Sequence, residues 1–377
     1  MKKILLSISA CLLLGVSINA QTNKDSSTLQ IAGSADLYYK YDLSSSDKNS
    51  PPTDYPVSTV NTKLNTLDFG LLDVILKKKI QNTSILADVT FGSRFDTKSQ
   101  LAGQPGSNYR IQNLYLTYDI TNALSVSAGA MFKFQSFEKM VPASNFNYSM
   151  SKTFLLNINN SYQRGGGVRA EYVFSPKVKL QVGFYNTQTA KSSADAIASY
   201  YLYRVADFST QLFVNPTKDL SLSAAFWREG SENNGLHYNL QAIYQASKSV
   251  KLGFDGTIFS ASDTIDIDGL TRGPKTFKSA VFYAQKSINK IFTIGARYEY
   301  LAQTSQVMAN NSFPDVYFNT FTLTNNIKLG NLVLKQEFVV EGTNKGNNDP
   351  NWNPYLDKNG NMAHGTKEIV LAAVYNF

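Results

Sequence analysis

The chain ends in Lys367-Glu-Ile-Val-Leu-Ala-Ala-Val-Tyr-Asn-Phe377, a stretch with the pattern of a β-strand whose two faces differ. Successive side chains of a strand point to opposite faces. One face would carry Ile369, Leu371, Ala373, Tyr375 and Phe377, and the other Glu368, Val370, Ala372, Val374 and Asn376. The first face is apolar and ends in aromatic residues. It therefore suits a membrane strand, or the half-buried strand of a soluble domain.

Residues 1–20 have the pattern of a secretory signal peptide. Lys2 and Lys3 precede an apolar run that reaches Ile18, and the small Ala20 precedes a polar stretch. We therefore expect export, with residues 1–20 removed and one mature domain over residues 21–377. A lipoprotein cleavage box that ends at Cys11 is the alternative. Cleavage after Ala20 would remove the only cysteine, which would exclude disulfides and thiolate chemistry from the mature chain.

The composition favours a membrane protein without membrane helices. After the signal peptide, no apolar run approaches the roughly 20 residues that a membrane helix needs. The mean hydropathy is slightly polar, at −0.23, although aromatic residues make up 12% of the chain. Such a combination is expected when polar and apolar side chains alternate along the strands of a membrane barrel.

Sixteen stretches show the alternation of a strand. They are 29–41, 64–76, 83–95, 109–120, 123–136, 165–174, 178–186, 199–214, 219–229, 235–246, 249–260, 276–286, 290–302, 315–328, 331–342 and 366–377. Their lengths match the ~10-residue alternating segments of membrane barrels. The stretch 64–76 switches its apolar face near Leu71 and Leu72, which indicates a β-bulge there.

The connections between these stretches alternate in length. Every second one is short, namely 77–82, 121–122, 175–177, 215–218, 247–248, 287–289 and 329–330. The intervening ones are mostly long, with 230–234 the exception. Short periplasmic turns and longer outer loops are typical of outer-membrane barrels. We therefore predict an all-β fold, a transmembrane antiparallel up-and-down barrel of sixteen strands, located in the outer membrane.

A barrel of this size would enclose a polar lumen. Sixteen strands leave an aqueous channel, whereas about eight leave an interior that side chains fill. Charges on the inward faces favour a wet interior, because an unpaired charge that faces lipid is costly. The predicted pore-lining residues are Lys133, Arg169, Glu171, Arg297, Glu299, Lys335 and Glu337. Ion pairs that stabilise the wall are the alternative role for most of them.

Lysines cluster in or beside the short turns. They are Lys77, Lys78, Lys79, Lys177, Lys218, Lys248, Lys286, Lys290 and Lys328. The formal net charge of +8 is therefore concentrated at the predicted periplasmic end, beside anionic phospholipid head groups. The inward faces carry both signs of charge in similar number, so the net charge predicts no ion selectivity.

The sequence resembles the OmpL-like β-barrel porin family in the stretch Phe137-Glu-Lys-Met-Val-Pro-Ala-Ser-Asn-Phe-Asn-Tyr-Ser-Met-Ser151, followed by Lys152-Thr-Phe154 and Gly165-Gly-Gly-Val168. In that family a strand leads to a Glu-containing turn, an Asn-aromatic-Asn-Tyr-Ser segment and a glycine-led strand. The opening stretch Ala35-Asp-Leu-Tyr-Tyr39 fits the same family. Met150 departs from the family pattern, in which an arginine often follows Asn-Tyr-Ser, so the resemblance does not extend to a basic constriction.

The resemblance implies that the third long loop, 137–164, folds into the barrel and narrows it. The implied constriction residues are Phe137, Glu138, Lys139, Asn145, Asn147, Tyr148, Ser149, Ser151 and Lys152. A surface loop packed by its own aromatic residues is the alternative. The closing strand also resembles that of Gram-negative outer-membrane barrels, which implies that Tyr375 and Phe377 belong to an assembly signal for the barrel-assembly machinery. By family analogy, the porin would be a homotrimer.

The sequence contains few residue patterns that are typical of catalytic or metal-binding sites. Of the two histidines, His237 has Asn239 on the same face, as a Ser–His–Asn site would need. The loops at Asp263–Gly269 and Asp357–Glu368 have incomplete calcium-ligand spacing. We therefore predict no enzyme activity, no cofactor, no resident metal and no nucleic-acid partner.

The sequence as a whole predicts an outer-membrane porin that lets small hydrophilic solutes or ions diffuse passively through a water-filled barrel. Its partners would be outer-membrane lipids, the assembly machinery and the solutes. A structural or interaction barrel with a blocked lumen, such as an adhesin or a secretion partner, is the first alternative. A barrel hydrolase is the second.

Overall fold

The computed structural model describes most of the chain, with gaps that fall mainly in the loops. The described residues are 28–44, 65, 67–92, 109–154, 164–192, 199–230, 235–260, 266–267, 270–271, 276–304, 307–308, 311–312, 316–343, 355–356, 359 and 362–377. The predicted signal peptide, 1–20, lies outside them, so its removal stays a prediction. Within the described residues, no helix is long and apolar enough to cross a membrane.

Sixteen long strands form one closed antiparallel barrel, and each strand pairs with its neighbours in the sequence. In chain order they are β1 (Gln30–Asp42), β2 (Leu67–Ile80), β3 (Thr83–Phe91), β4 (Tyr109–Asp119), β5 (Leu124–Phe132), β6 (Arg164–Ser175), β7 (Val178–Ser192), β8 (Ser199–Thr217), β9 (Leu220–Arg228), β10 (Leu236–Gln245), β11 (Val250–Ser260), β12 (Thr276–Ser287), β13 (Phe292–Thr304), β14 (Val316–Leu329), β15 (Leu332–Thr343) and β16 (Gly365–Asn376). The prediction of a sixteen-stranded all-β barrel is confirmed.

Several predicted strand boundaries differ from the structure by a few residues, and the differences at β2, β5 and β7 have clear causes. β2 continues through Lys77, Lys78 and Lys79 to Ile80, because these long side chains reach water while the backbone pairs with β3. β7 continues to Ser192, since it stays paired with β8 as far as Ser199. β5 ends at Phe132, where the chain leaves the wall. Short hairpins in the outer loops pair 266–267 with 270–271, 307–308 with 311–312, and 355–356 with 362–363, and the sequence did not predict them.

The closing strand joins the first strand. β16 pairs with β1 from Asp42 opposite Glu368 to Ser34 opposite Asn376. The N–H of Phe377 donates to the carbonyl of Gly33 at 3.0 Å, and the N–H of Gly33 donates to the carbonyl of Phe377 at 3.0 Å. The last residue therefore completes the ladder that closes the barrel.

The two faces of β16 have the predicted environments. Ile369, Leu371 and Tyr375 lie exposed on the outer surface, whereas Glu368 and Val370 are buried on the inner side. Large apolar side chains stay exposed on the outward faces of other strands as well, including Leu240, Phe282, Tyr298, Phe321 and Leu323. An outward apolar band and a polar interior are the two surfaces of an outer-membrane barrel.

The short turns all lie at one end of the barrel, as predicted. They comprise residues 81–82, 120–123, 176–177, 218–219, 246–249, 288–291 and 330–331. Gln81 and Gly330 open two of the four two-residue turns with φ angles of 51° and 64°. Positive φ at the first turn residue is typical of the type I′ and II′ turns that the twist of paired strands favours, so these two turns fit their hairpins closely.

The predicted change of face in the second strand is a β-bulge at Gly70. Leu71 pairs with Asp36, and Phe69 pairs with the next residue, Leu37, so Gly70 is the extra residue. Leu71 and Asp73 beyond the bulge point inward and are buried. A Cβ atom at Gly70 would lie 2.0 Å from Oδ2 of Asp36, so only glycine fits without movement there.

Candidate functional site in the barrel lumen

Residues 133–154, here called the lumen segment, leave the wall at the end of β5. Ser209 of β8 donates to the carbonyl oxygen of Lys133 at 2.6 Å, and the ammonium of Lys133 pairs with Asp207. Amide groups of Gln211 and Gln241 both donate to the carbonyl oxygen of Gln135, each at 3.0 Å. The chain therefore passes in front of β8, β9 and β10 on the inner side of the barrel.

The segment next reaches β12 and β13. The ring of Phe137 stacks on Tyr283 of β12, with ring centroids 4.3 Å apart. One carboxylate oxygen of Glu138 lies 2.8 Å from Nη1 of Arg297 on β13, and both side chains are buried. An ion pair removed from water in this way is strong only when its other polar atoms also have partners.

The guanidinium of Arg297 has further hydrogen-bond partners besides Glu138. Its Nη1 donates to the carbonyl oxygen of Ser149 at 2.8 Å, and its Nη2 contacts the Ser149 hydroxyl at 3.1 Å, the Met150 carbonyl at 3.3 Å and Thr322 Oγ1 at 3.2 Å. A guanidinium presents five N–H donors in a planar fork, which suits several acceptors at once. Arg297 therefore joins the two arms of the lumen segment to the wall.

Three glutamates each bind adjacent donors of the segment. Glu337 accepts the N–H groups of Tyr148 and Ser149 at 2.6 and 2.8 Å. The other bonds are from Lys152 and Thr153 to Glu299 at 2.6–2.9 Å, and from Ser151 to Glu138 at 2.7–2.8 Å. These amides have no sheet partner, and charge-assisted hydrogen bonds satisfy them inside the barrel.

Two lysines fix the ends of this stretch. Lys335 of β15 donates to the carbonyl oxygens of Pro142, Asn145 and Phe146. Lys152 lies 2.8 Å from Glu341 of the same strand and is also buried. Polar contacts therefore run in both directions: a loop cation binds a wall anion, and a wall cation binds loop carbonyls.

The far side of the segment packs on the first strands. The hydroxyl of Tyr148 donates to Asp36 of β1 at 2.6 Å, and its ring lies beside Tyr38. Leu71 of β2 forms a buried apolar cluster with three loop side chains, Met140, Met150 and Phe154. The lumen segment thus contacts inward side chains on both sides of the closure.

The wall of β3 to β7 keeps partly exposed polar groups. Arg169 of β6 lies over the ring of Tyr115, 5.8 Å from its centroid, and is half-buried. Glu171 pairs with Lys179 at 3.2 Å, with 29% and 17% of their side chains exposed. Accessible charges on this wall contrast with the buried charges under the lumen segment.

Lys139 is the loop cation that keeps part of its side chain exposed, while its amine lies against atoms of the loop. Its ammonium donates to the carbonyl oxygen of Ser136 at 2.7 Å, and the Asn145 amide bonds its backbone N–H and C=O. Burial in the loop lowers the pKa of its amine from 10.5 to about 8, while the negative charge of Asp255 opposes that shift. The charge of Lys139 is therefore sensitive to pH near pH 8.

The predicted site residues fall into two groups. The structure places the loop residues Phe137, Glu138, Lys139, Asn145, Asn147, Tyr148, Ser149, Ser151 and Lys152 in the same region as Arg297, Glu299, Lys335 and Glu337. Arg169 and Glu171 lie on β6, and Lys133 pairs with Asp207. Sequence reasoning missed the roles of Asp36, Tyr283 and Glu341, although Glu341 alternates in step with Lys335 and Glu337 and could have been placed on their face.

His237 has different neighbours from those that a hydrolase would need. Its Nε2 lies 3.3 Å from Oε1 of Glu229, and its ring stacks on Trp227 at 3.6 Å. Asn239 instead donates to Asp255 at 2.6 Å and to Thr257 at 2.9 Å. In the part of the chain that the structure describes, neither ring nitrogen of His237 has a hydrogen-bond partner, so no serine is bound to it.

The predicted calcium-like loops fall mostly outside the described residues. Asp357, Asn361, Asp263 and Asp268 are not described, so those loops are untested. Glu368 lies in β16 and pairs with Lys40 at 2.8 Å. Over the described ranges, no group of three or more His, Cys, Asp or Glu side chains is placed to hold a metal ion.

The family described as "Putative beta-barrel porin-2, OmpL-like" matches residues 28–377. This chain belongs to that porin family. The family fits a closed barrel with a polar lumen, and it places this porin in the outer membrane as a passive diffusion channel. Porins are channels rather than enzymes. No curated protein is detectably similar to the sequence.

Solved outer-membrane proteins share the fold of this porin. The channel DcaP of Acinetobacter baumannii has a TM-score of 0.58 at 13% identity, over 93% of this chain and 97% of that one. The trimer form of OmpT from Vibrio cholerae gives 0.58 and 13%, over 94% and 100%. An anion-selective porin from Comamonas acidovorans gives 0.58 and 10%, over 93% and 99%.

Proposed function

We propose that this porin passes small hydrophilic solutes or ions through a lumen whose narrowest section lies between residues 133–154 and the wall of β3 to β7. The observation that carries the proposal is the buried contact of Arg297 with Glu138, Ser149 and Met150. This contact supports a lumen segment that is held at a fixed position along the barrel axis, because separating the partners of a buried ion pair is costly.

Solutes would then meet an asymmetric passage. The loop charges of Glu138 and Lys152 are neutralised by wall residues, so they are not free to interact with solutes. Lys139 on the loop, together with Arg169 and Glu171 on the opposite wall, keeps contact with water. We assign the selection of ions to these three accessible groups, since charge acts strongly where the local dielectric is low.

A blocked interaction barrel is the second candidate. Side chains around the lumen segment, including Arg297, Glu299, Thr320 and Thr322, are completely buried, which a sealed lumen would also produce. Purified protein in a planar bilayer separates the two. The porin proposal expects stepwise conductance that scales with salt, and the absence of channels after verified insertion would contradict it.

The proposal includes no enzyme activity and a trimeric assembly. One fold neighbour, OmpT, was solved in a trimer form, which supports the same assembly here. Mass measurement of the detergent-solubilised protein would test it, with three copies expected and a monomer contradicting it. A lipid-hydrolysis assay is expected to give no activity, and hydrolysis lost in His237→Ala would favour the barrel hydrolase instead.

A further inference from the structure

The short turns carry a ring of lysines, here called the rim lysines: Lys78, Lys177, Lys218, Lys248, Lys286 and Lys290. All are exposed except Lys78, which is half-buried. They belong to five of the seven short turns or to the adjoining strand ends, so they are distributed around the barrel. This end of an outer-membrane barrel faces the periplasm.

Negative charge does not balance the rim lysines. Among the described residues of the short turns and of the three residues on either side, the acidic ones are Asp119 and Asp219. Asp119 is already paired with a further lysine, Lys79, at 2.6 Å. This end therefore carries an excess of positive charge that an anionic surface outside the chain would attract.

Large apolar side chains lie directly beside the rim lysines on the outer surface. Ile80, Phe174, Tyr244, Ile288 and Ile291 are between 45% and 59% exposed, and each lies within four residues of a rim lysine. Apolar and aromatic groups at this depth mark the boundary between acyl chains and head groups. A lysine beside them can extend its ammonium into the head-group layer while its methylene chain stays in contact with apolar surface.

We propose that the rim lysines bind the anionic head groups of phospholipids in the periplasmic leaflet. A soluble anion would not explain why the cations border an apolar surface, whereas a phospholipid offers acyl chains and a phosphate at the matching depth. Lysines near an anionic membrane surface each contribute about 1 kcal/mol, or about fivefold in affinity, and the attraction weakens within a Debye length. The ring would therefore anchor the barrel at one depth.

The test titrates the purified full-length porin in neutral detergent with phosphatidylglycerol or phosphatidylcholine, and detects bound lipid by native mass spectrometry. The variant Lys248→Gln/Lys290→Gln removes two rim charges. Its matched control is Lys278→Gln/Lys367→Gln, which removes two exposed, outward lysines at the opposite end of the barrel. We expect preferential binding of phosphatidylglycerol, about fivefold weaker per lysine in the rim variant and unchanged in the control.

Equal binding of the two lipids would overturn the proposal, and so would equal losses of binding in the rim variant and the control. A competition experiment adds soluble peptidoglycan fragments to the complex with phosphatidylglycerol. Displacement of the lipid by these fragments would also overturn the proposal. The last outcome would identify an anionic glycan as the partner. A salt titration of the unmodified protein gives a second readout that does not depend on any variant. Phosphatidylglycerol binding should fall between 0.05 and 0.5 M salt, and binding that ignores salt would also contradict the proposal.

Discussion

Arg297 is the residue on which the contacts of the lumen depend. It is completely buried, and its guanidinium bonds the carboxylate of Glu138, the backbone of Ser149 and Met150, and the hydroxyl of Thr322. A buried charge is tolerated only when its donors are used, and here Nη1 and Nη2 both bind the lumen segment. The residue therefore links the position of the loop to the stability of the barrel.

Arg297→Leu should destabilise the barrel. The change leaves Glu138 buried without its cation and removes the donors that bind the Ser149 and Met150 carbonyls. Breaking a buried ion pair from one side costs about 3–5 kcal/mol. Urea unfolding in lipid vesicles should show that loss. Lys278→Leu, at an exposed position near the start of β12, should change the free energy of unfolding by less than about 0.5 kcal/mol, as is usual for surface substitutions. Equal midpoints for the two variants would contradict the role of Arg297.

Lys139 should make ion selectivity depend on pH. Its pKa is lowered to about 8, so the amine is charged below pH 8 and loses its proton as the pH rises above it. The reversal potential in a salt gradient should shift toward cation preference with a midpoint near pH 8. Lys139→Gln should remove the step, and Lys139→Glu should favour cations even at low pH. A step that persists in Lys139→Gln would assign the titration to another group.

The strands show how far sequence reasoning can go. Alternation predicted the two faces of β16 and the bulge beside Leu71. Successive side chains of a strand face opposite environments, so the order of polar and apolar residues records which side each one faces. The contacts of the loop could not be derived in this way. Ser149 and Arg297 lie 148 positions apart, and their contact depends on the register of the whole barrel and on the path of the loop. Only the family resemblance indicated an inward loop.

The bulge in β2 should not tolerate a side chain at Gly70. A Cβ atom there would lie 2.0 Å from Asp36 Oδ2 and 2.8 Å from the hydroxyl of Tyr148, so Gly70→Ala would disturb the contact between β1 and the lumen segment. Overpacking of this kind costs typically about 1–3 kcal/mol. The control Gly342→Ala meets only His364 O at 3.7 Å and should be neutral. Unfolding midpoints test the pair, and a neutral Gly70→Ala would refute the steric account.

Outer-membrane insertion should depend on Phe377, the last residue after the closing strand. Phe377 bonds Gly33 of β1 through both its N–H and its carbonyl, and its aromatic ring is half-exposed on the outer surface. We expect Phe377→Ser to reduce outer-membrane insertion and to leave unfolded chain in the periplasm. Phe282→Ser removes an equally exposed ring from β12 and should reduce insertion less. Equal amounts of heat-modifiable barrel for Phe377→Ser and the unmodified protein would count against the assembly signal.

At the scale of the whole molecule, the barrel separates three environments. The outer surface is apolar, the periplasmic end is rich in lysine, and the lumen holds buried charges on one side and accessible charges on the other. The sequence predicted the first two from alternation and from the position of the lysines in the short turns. The asymmetry of the lumen was not predictable, because inward charges look alike in the sequence whether a loop covers them or not.

The most direct measurement is the single-channel conductance of a loop deletion. Removing Pro142–Ser149 should enlarge the passage, because this stretch carries the contacts with Lys335, Glu337 and Asp36. A deletion of equal length in the last outer loop, 344–351, is the matched control. We predict a higher conductance for the first deletion and an unchanged one for the second. If both deletions conduct as the unmodified protein does, the lumen segment does not set the narrowest section.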